Sequence, residues 1–386
     1  MNARRALLSG LCLFVALAAS GCAGDPPKTD PILQPAATTR VGPLPVNANA
    51  VVPQTALGPT GAGSTDAVAV VSDTYIVRPV AAQGAFAVRR RSDNTLVLTH
   101  RTTRGLETTF ADLAGDLFVV ADDNVNTNGG TDHPSVIYIY DLRTKRRTTL
   151  ADVTGAPRQG QGQFATLTDD GRLYYVSVTA KKKNTFQYCV GMADLRTMRG
   201  STVECANEAN NPVFVAPGED GATWTVRSYE AICDTGRGIR GGRIIPIGPA
   251  DCATVGTGTV RGWSVWAATL GAGGRNHGVT AHATDGTTLV DLGEVTGISF
   301  TTCGDYVYWS AGPGQPQIRR WSPGMTEIEV AYDFEVREKA VFGADPDDRG
   351  IVLAGCADNL MTLATWTRNQ DRSLTTRFVV VPSRRG

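Results

Sequence analysis

Along most of the chain, short runs of apolar and aromatic residues stand behind polar turns, and within many runs apolar and polar positions alternate. The phrase occurs at Ser72–Val77 (SDTYIV), Ala114–Val120 (AGDLFVV), Asp169–Val176 (DDGRLYYV), Glu219–Val226 (EDGATWTV), Arg261–Trp266 (RGWSVW), Cys303–Trp309 (CGDYVYW) and Asp348–Leu353 (DRGIVL). Alternation with period two predicts strands, and long apolar patterns at helical spacing are absent. With Asp73, Asp116, Asp170, Asp220, Gly262, Asp305 and Gly350 as marks, the spacings are 43, 54, 50, 42, 43 and 45 residues. Seven units of this length match four-stranded propeller blades.

The second half of several units also repeats. Ile137–Thr144 (IYIYDLRT) precedes Arg147–Leu150, and Val190–Thr197 (VGMADLRT) precedes Ser201–Val203. Val279–Leu289 and Ile318–Ile328 fill the same place. Each reads as strand, turn, strand, which suits the outer hairpin of a blade.

From about Thr65 to Gly386 this grammar resembles secreted β-propellers of the TolB-like or YVTN-like kind. The Gly-His and Trp-Asp pairs of WD propellers and the kelch signature are missing. The expected fold class is all-β, a propeller of seven four-stranded blades. Six blades with an irregular terminal unit, or a pair of irregular β-sandwiches, are the alternatives.

The N-terminus has a different grammar. Arg4 and Arg5 precede an apolar run, Leu7 to Ala19, shorter than the roughly 20 residues of a membrane span. The run ends in Leu17-Ala-Ala-Ser-Gly-Cys22, which resembles a bacterial lipobox with Ala19 three positions before the cysteine. The resemblance implies cleavage, acylation of Cys22 and tethering to a membrane outside the cytoplasm. Residues 23–64, rich in Pro, Ala, Thr and Gly, read as a flexible stalk, with Val41–Leu44 and Val51–Pro53 as apolar patches able to dock. The expected organisation is therefore signal 1–22, stalk 23–64 and propeller 65–386.

Cysteine usage agrees with export. Of 8 cysteines, Cys12 leaves with the signal and Cys22 takes the lipid. Cys189, Cys205, Cys233, Cys252, Cys303 and Cys356 remain, an even set that reads as three disulfides in an oxidising compartment. Cys189 and Cys205 flank one hairpin, and Cys233 and Cys252 flank a strand-like segment, which leaves Cys303 with Cys356 between adjacent blades. Other pairings remain formally open.

The chain carries 37 basic and 37 acidic side chains, and loss of Arg4 and Arg5 leaves 35 against 37. Such a balance provides no large basic field for nucleic acid. Lys181–Lys183 and Arg143–Arg147 are local positive patches that mark exposed hairpin tips. Trp224, Trp263, Trp266, Trp309 and Trp321 fall at strand positions and are expected to pack between blades.

Candidate chemistry is sparse. Asp122, Asn124, Asn126, Asn128 and Asp132 resemble the start of a calcium loop, but Ser135 stands where an EF-hand needs glutamate, so a solvated hairpin loop is the simpler reading. No cofactor is expected, with a calcium ion at this loop as the one alternative. Four histidines, His100, His133, His277 and His282, accompany no GxSxG, HExxH or P-loop pattern. His282 alternates with threonines on a strand, and His277 lies in a Gly-rich loop, where chance placement is the simpler reading and reach to a ligand the alternative.

Architecture and location together lead to a lipid-anchored, monomeric extracytoplasmic scaffold. Its propeller face would bind an envelope protein or glycan, and the missing catalytic motifs weigh against an enzyme without excluding one. A glycan- or peptide-acting hydrolase or lyase and a purely structural envelope component are the alternatives.

Overall fold

The computed structural model describes residues 39–47, 55–62, 70–80, 85–123, 135–157, 165–180, 186–206, 210–228, 233–249, 254–269, 279–295, 300–311, 317–334, 349–368 and 374–385. Among the described residues, thirty strands form seven sheets, and each sheet is one blade.

Blade 1 contains β4 (Val70–Val71), β5 (Tyr75–Val80), β6 (Ala85–Arg90) and β7 (Leu96–Arg101). Blade 2 contains β8 (Glu107–Ala114), β9 (Leu117–Asp123), β10 (Val136–Asp141) and β11 (Arg146–Thr149). Blade 3 follows with β12 (Ala165–Leu167), β13 (Arg172–Ala180), β14 (Phe186–Asp194) and β15 (Arg199–Cys205). Blade 4 is β16 (Asn210–Gly218), β17 (Gly221–Ser228), β18 (Cys233–Arg240) and β19 (Arg243–Ile247). Blade 5 is β20 (Thr254–Val260), β21 (Trp263–Thr269), β22 (Val279–Thr284) and β23 (Thr288–Val295). Blade 6 comprises β24 (Thr301–Cys303), β25 (Tyr306–Ser310), β26 (Gln317–Trp321) and β27 (Ile328–Asp333). Blade 7 joins β28 (Arg349–Ala357), β29 (Leu360–Arg368) and β30 (Leu374–Pro382) to a strand from the other end of the chain, β3 (Thr55–Ala62). The first strands of successive blades touch, and β28 meets β4 to close the ring.

β3 pairs antiparallel with β30, placing Thr55 opposite Val380 and Ala62 opposite Thr375. Two further strands, β1 (Thr39–Val41) and β2 (Val46–Asn47), lie parallel to β23 and β27 on the outer edges of blades 5 and 6. Between them Leu44 packs on the core shared by those blades. Residues 39–47 and 55–62 thus belong to the propeller, and its boundary lies well before Thr65. The physical reason is that an outermost strand leaves a row of peptide groups unpaired, and the N-terminal segment supplies partners for them. Pro59 falls at a register shift of the β3–β30 pair, where a missing N–H is tolerated.

Apolar side chains fill the wedges between blades. Val119, Ile139, Leu173 and Leu195 lie in the cluster that joins blades 2 and 3. Trp224, Trp309 and Trp321 are fully buried, and Trp263 packs edge-on against Trp321 at 5.5 Å. Blades 4 and 5 meet through small residues instead. The Thr223 hydroxyl donates to the Thr257 carbonyl at 3.1 Å, and a Cβ at Gly236 would lie 2.5 Å from the Thr257 methyl carbon.

The seventh mark requires correction. Gly350 lies within the inner strand β28, and the turn equivalent to the others is Asp358–Asn359, with φ of 50° and 61°. Asx residues tolerate this left-handed region, so the pair closes the turn without glycine.

Candidate functional site

In each blade the turn between first and second strands opens on one face, joined there in blades 1 to 6 by the turn between third and fourth strands. All these turns are described. Between blades 2 and 3 this face holds a cleft of about 510 Å³.

Two copies of one sequence build its rim. In blade 2, Asp141 Oδ1 accepts the backbone N–H groups of Arg143 and Thr144, both at 3.0 Å. In blade 3, Asp194 Oδ1 accepts those of Arg196 and Thr197, also at 3.0 Å. Hydrogen bonds from the Thr144 and Arg143 amides hold the Asp141 carboxyl below its usual range. Partial desolvation opposes the same effect at Asp194, where the Thr197 and Arg196 amides still bring the carboxyl down. Asp-anchored turns of this kind are local, because the side chain replaces the next strand as acceptor. Lys145 and Met198 then take positive φ, 59° and 55°, to return the chain. The amide of Leu142 donates to the Asp116 carbonyl at 2.8 Å, and that of Leu195 to the Gly171 carbonyl at 3.1 Å. Each arginine-bearing turn is thereby fastened to the inner turn of its own blade.

The cleft is lined by Arg143 and Arg146 from blade 2 and Arg196 from blade 3. Among the described residues, neither Arg143 nor Arg146 has a carboxylate at ion-pair distance. Arg196 Nη2 donates to the Asp169 carbonyl at 3.4 Å, and its Nε would lie 3.1 Å from a Cβ at Gly171. The acidic lining is already engaged: Asp116 accepts the Tyr75 hydroxyl at 3.0 Å, and Asp141 holds its turn. Ala114, Ile139 and Leu195 form a buried apolar floor continuous with the blade 2–3 core. The site combines spare guanidinium donors with a nonpolar base.

A second polar cluster is enclosed. His100 Nε2 lies 3.1 Å from Asp122 Oδ1, and Nδ1 lies 2.9 Å from the Tyr140 hydroxyl. Asp122 also accepts the Thr103 amide and hydroxyl at 2.8 Å and the Thr108 hydroxyl at 2.7 Å. Burial alone would raise its carboxyl, but the hydrogen bonds from His100, Thr103 and Thr108 hold it below its usual range. With His100 and Asp122 2% and 0% exposed, their bond ties blade 1 to blade 2 away from solvent.

Near the axis, Asp112 is buried on β8, and desolvation pushes its carboxyl well above the usual range despite an N–H bond from Leu113. Asp169 is also raised, by desolvation first and then by Asp358 and Asp170. The amide of Asp358 donates to Asp169 Oδ1 at 3.2 Å, linking blades 7 and 3.

The structure brings few of the candidate residues together. Asp122, read as a calcium ligand, is withdrawn into the buried network with His100, which corrects its assignment to a solvent-facing loop. Asn124, Asn126, Asn128 and Asp132 lie outside the described residues, as do Cys22, His133, His277 and Lys181–Lys183. His282, expected on a strand alternating with threonines, is half-buried on β22 beside Trp266 with ring centroids 5.7 Å apart, and burial lowers its pKa. Cys189–Cys205 and Cys303–Cys356 are disulfides with Cα separations of 4.0 and 5.7 Å. The Cys233–Cys252 pairing falls outside the described residues. Sequence reasoning marked Arg143–Arg147 as a hairpin tip and left Arg196 unplaced. The shared Asp-Leu-Arg-Thr string was the signal that relates them.

No protein-family model and no curated protein sequence matches the chain. Among solved structures, it is similar to a prolyl endopeptidase analysed for inter-domain dynamics, at TM-score 0.53 and 11% identity, over 84% of this chain and 51% of that one. It spans about half that enzyme's length. A mitotic checkpoint complex chain gives TM-score 0.48 at 12% identity, over 88% of this chain and 98% of that one. TolB from Acinetobacter baumannii gives 0.36 at 11%, over 70% and 67%. At these identities the likeness to the endopeptidase shows the propeller fold alone.

Proposed function

We propose that this protein is an extracytoplasmic binding scaffold, tethered through Cys22, which uses the turn face of its propeller to hold another protein of the cell envelope. The observation that carries this reading is the cleft between blades 2 and 3, where Arg143, Arg146 and Arg196 surround an apolar floor. Concave sites with a few convergent polar groups are where ligands usually bind, which supports the reading. The lipobox-like end at Cys22 and the exported pattern of cysteines support the location.

Capture of partners from detergent-treated envelope by the mature chain, with Cys22→Ser and disulfides intact, tests the reading. A protein enriched over an unrelated propeller, and competing with soluble protein for one saturable site, is the expected result. Absence of any enriched protein while the bait stays folded would remove it.

The fold likeness to a prolyl endopeptidase favours one second reading, a propeller serving a peptide-acting hydrolase. Turnover of a peptide library by the purified chain is its test, and a null result at high enzyme concentration would exclude it.

A further inference from the structure

We propose that Ser383–Arg385, the residues that follow β30, form a strap across the turn-face end of the seam between blades 6 and 7, and that this strap controls how fast the Cys303–Cys356 disulfide is reduced.

The two half-cystines occupy matching places. Cys303 is the last residue of β24 and Cys356 lies one residue before the end of β28, so their bond ties two inner strands beside the turns Gly304–Asp305 and Asp358–Asn359. Cys303 is 1% exposed, whereas Cys356 is half-buried against the core of the same two blades. Cys356 is the half that a reagent meets first.

The strap is laid on those two turns. The Ser383 amide donates to the Asn359 carbonyl and the Asp305 amide to the Ser383 carbonyl, both at 2.8 Å. A Cβ at Gly304 would lie 2.3 Å from that Ser383 oxygen and 2.8 Å from Asn359 Oδ1, so the strap runs in direct contact with the residue after Cys303. Further on, the Arg385 amide donates to Asp305 Oδ2 and Arg385 Nη1 to the Pro323 carbonyl, both at 2.9 Å.

Its root is buried. Ser383 is 0% exposed, with its hydroxyl 2.7 Å from that of Tyr308. The preceding carbonyl, of Pro382, accepts Arg320 Nη1 at 2.8 Å, and the same guanidinium bonds Glu329 and lies over the Tyr306 ring at 4.0 Å. Lifting the strap forfeits these bonds among buried groups, so it stays closed and opens rarely.

Reduction by an external dithiol begins when its thiolate attacks the Cys356 sulfur. A mixed disulfide forms there and Cys303 leaves as a thiolate that takes up a proton. The second thiol then displaces Cys356, and the dithiol, having given two electrons, departs as its own disulfide. Attack needs an approach path and separation needs room for Cys303 to move, and both are governed by strap opening.

The test compares the mature Cys22→Ser chain with the same chain ending at Pro382. Each is held in dithiothreitol under native conditions, quenched with iodoacetamide and analysed by peptide mass spectrometry, so that every bond is timed separately. Expected is reduction of Cys303–Cys356 about tenfold or more faster in the shortened chain, the effect of losing one or two net hydrogen bonds, with Cys189–Cys205 unchanged. Equal rates at Cys303–Cys356 would overturn the proposal. Equal acceleration of both bonds would also overturn it, because that marks a general loss of stability. If the shortened chain does not fold, the full-length Asp305→Ala/Arg385→Ala variant is judged by the same two rates.

Discussion

Arg143 and Arg196 occupy the same position in two consecutive Asp-Leu-Arg-Thr turns, and the rotation from blade 2 to blade 3 places both on the lining of one cleft. Neither arginine is held by a distant contact as firmly as its turn is held by its own aspartate. Asp194→Ala is therefore expected to loosen the Arg196 turn and to reduce stability by about 0.5–1.5 kcal/mol, the range for a net intramolecular hydrogen bond. Chemical denaturation of the variant measures the loss.

The buried network gives a sharper stability effect. Asp122→Ala leaves His100 Nε2 and the Thr103 amide without their acceptor and is expected to cost about 3 kcal/mol. Because the folded carboxyl lies below its unfolded value, its contribution is complete above that value and is lost as pH falls through the folded one. Asp122→Asn should therefore remove part of the acid limb from a plot of unfolding free energy against pH. An unchanged acid limb would show that other carboxylates govern it.

Asp112 has the opposite sign. Its folded carboxyl is raised by burial, so its contribution is fully present below the unfolded value and is lost as pH rises through the folded value. Asp112→Asn is expected to stabilise the protein by about 1–2 kcal/mol near pH ~8 and to change little near pH ~3. Melting temperatures at the two pH values decide the point.

The two described disulfides should differ in weight. Cys303–Cys356 spans 53 residues and joins blades 6 and 7, while Cys189–Cys205 spans 16 within blade 3. In the chain-entropy model they contribute roughly 4 and 3 kcal/mol. Paired Cys→Ala variants, compared by denaturant unfolding, should show the larger loss for the inter-blade bond.

A chain beginning at Thr65 lacks β1, β2 and β3. It uncovers the edge of β30, from Leu374 to Pro382, and the partners of Leu44 in blades 5 and 6. It is expected to melt at least about 10 °C lower than a chain beginning at Cys22, or to aggregate through the bare edge. Equal melting of the two chains would mean that the N-terminal strands add nothing to closure.

Some of this was legible before any tertiary structure. The Asp169–Gly171 and Glu219–Asp220 turns, and the aromatic strands behind them, are local features whose chemistry acts over two to six residues. The Cys189–Cys205 bond was legible for the same reason, since a hairpin brings cross-strand neighbours together. Blade 7 was misread at Gly350 because its true turn uses Asp358–Asn359 in place of glycine. Proline and threonine hid the edge strands of residues 39–62, whose partners lie more than 240 residues away.

The sequence by itself determined that this protein is all-β, that its strands come in seven groups, and that its inner turns open with Asp, Gly and Ser. Those properties follow from alternation and turn preference, which each segment expresses alone. Only the tertiary structure decided that the N-terminal segment closes blade 7, that His100 and Asp122 share a buried bond, and that Arg143, Arg146 and Arg196 line one cleft. Each of these depends on how blades stack around the axis, a packing of distant apolar surfaces that leaves no periodic mark in the chain.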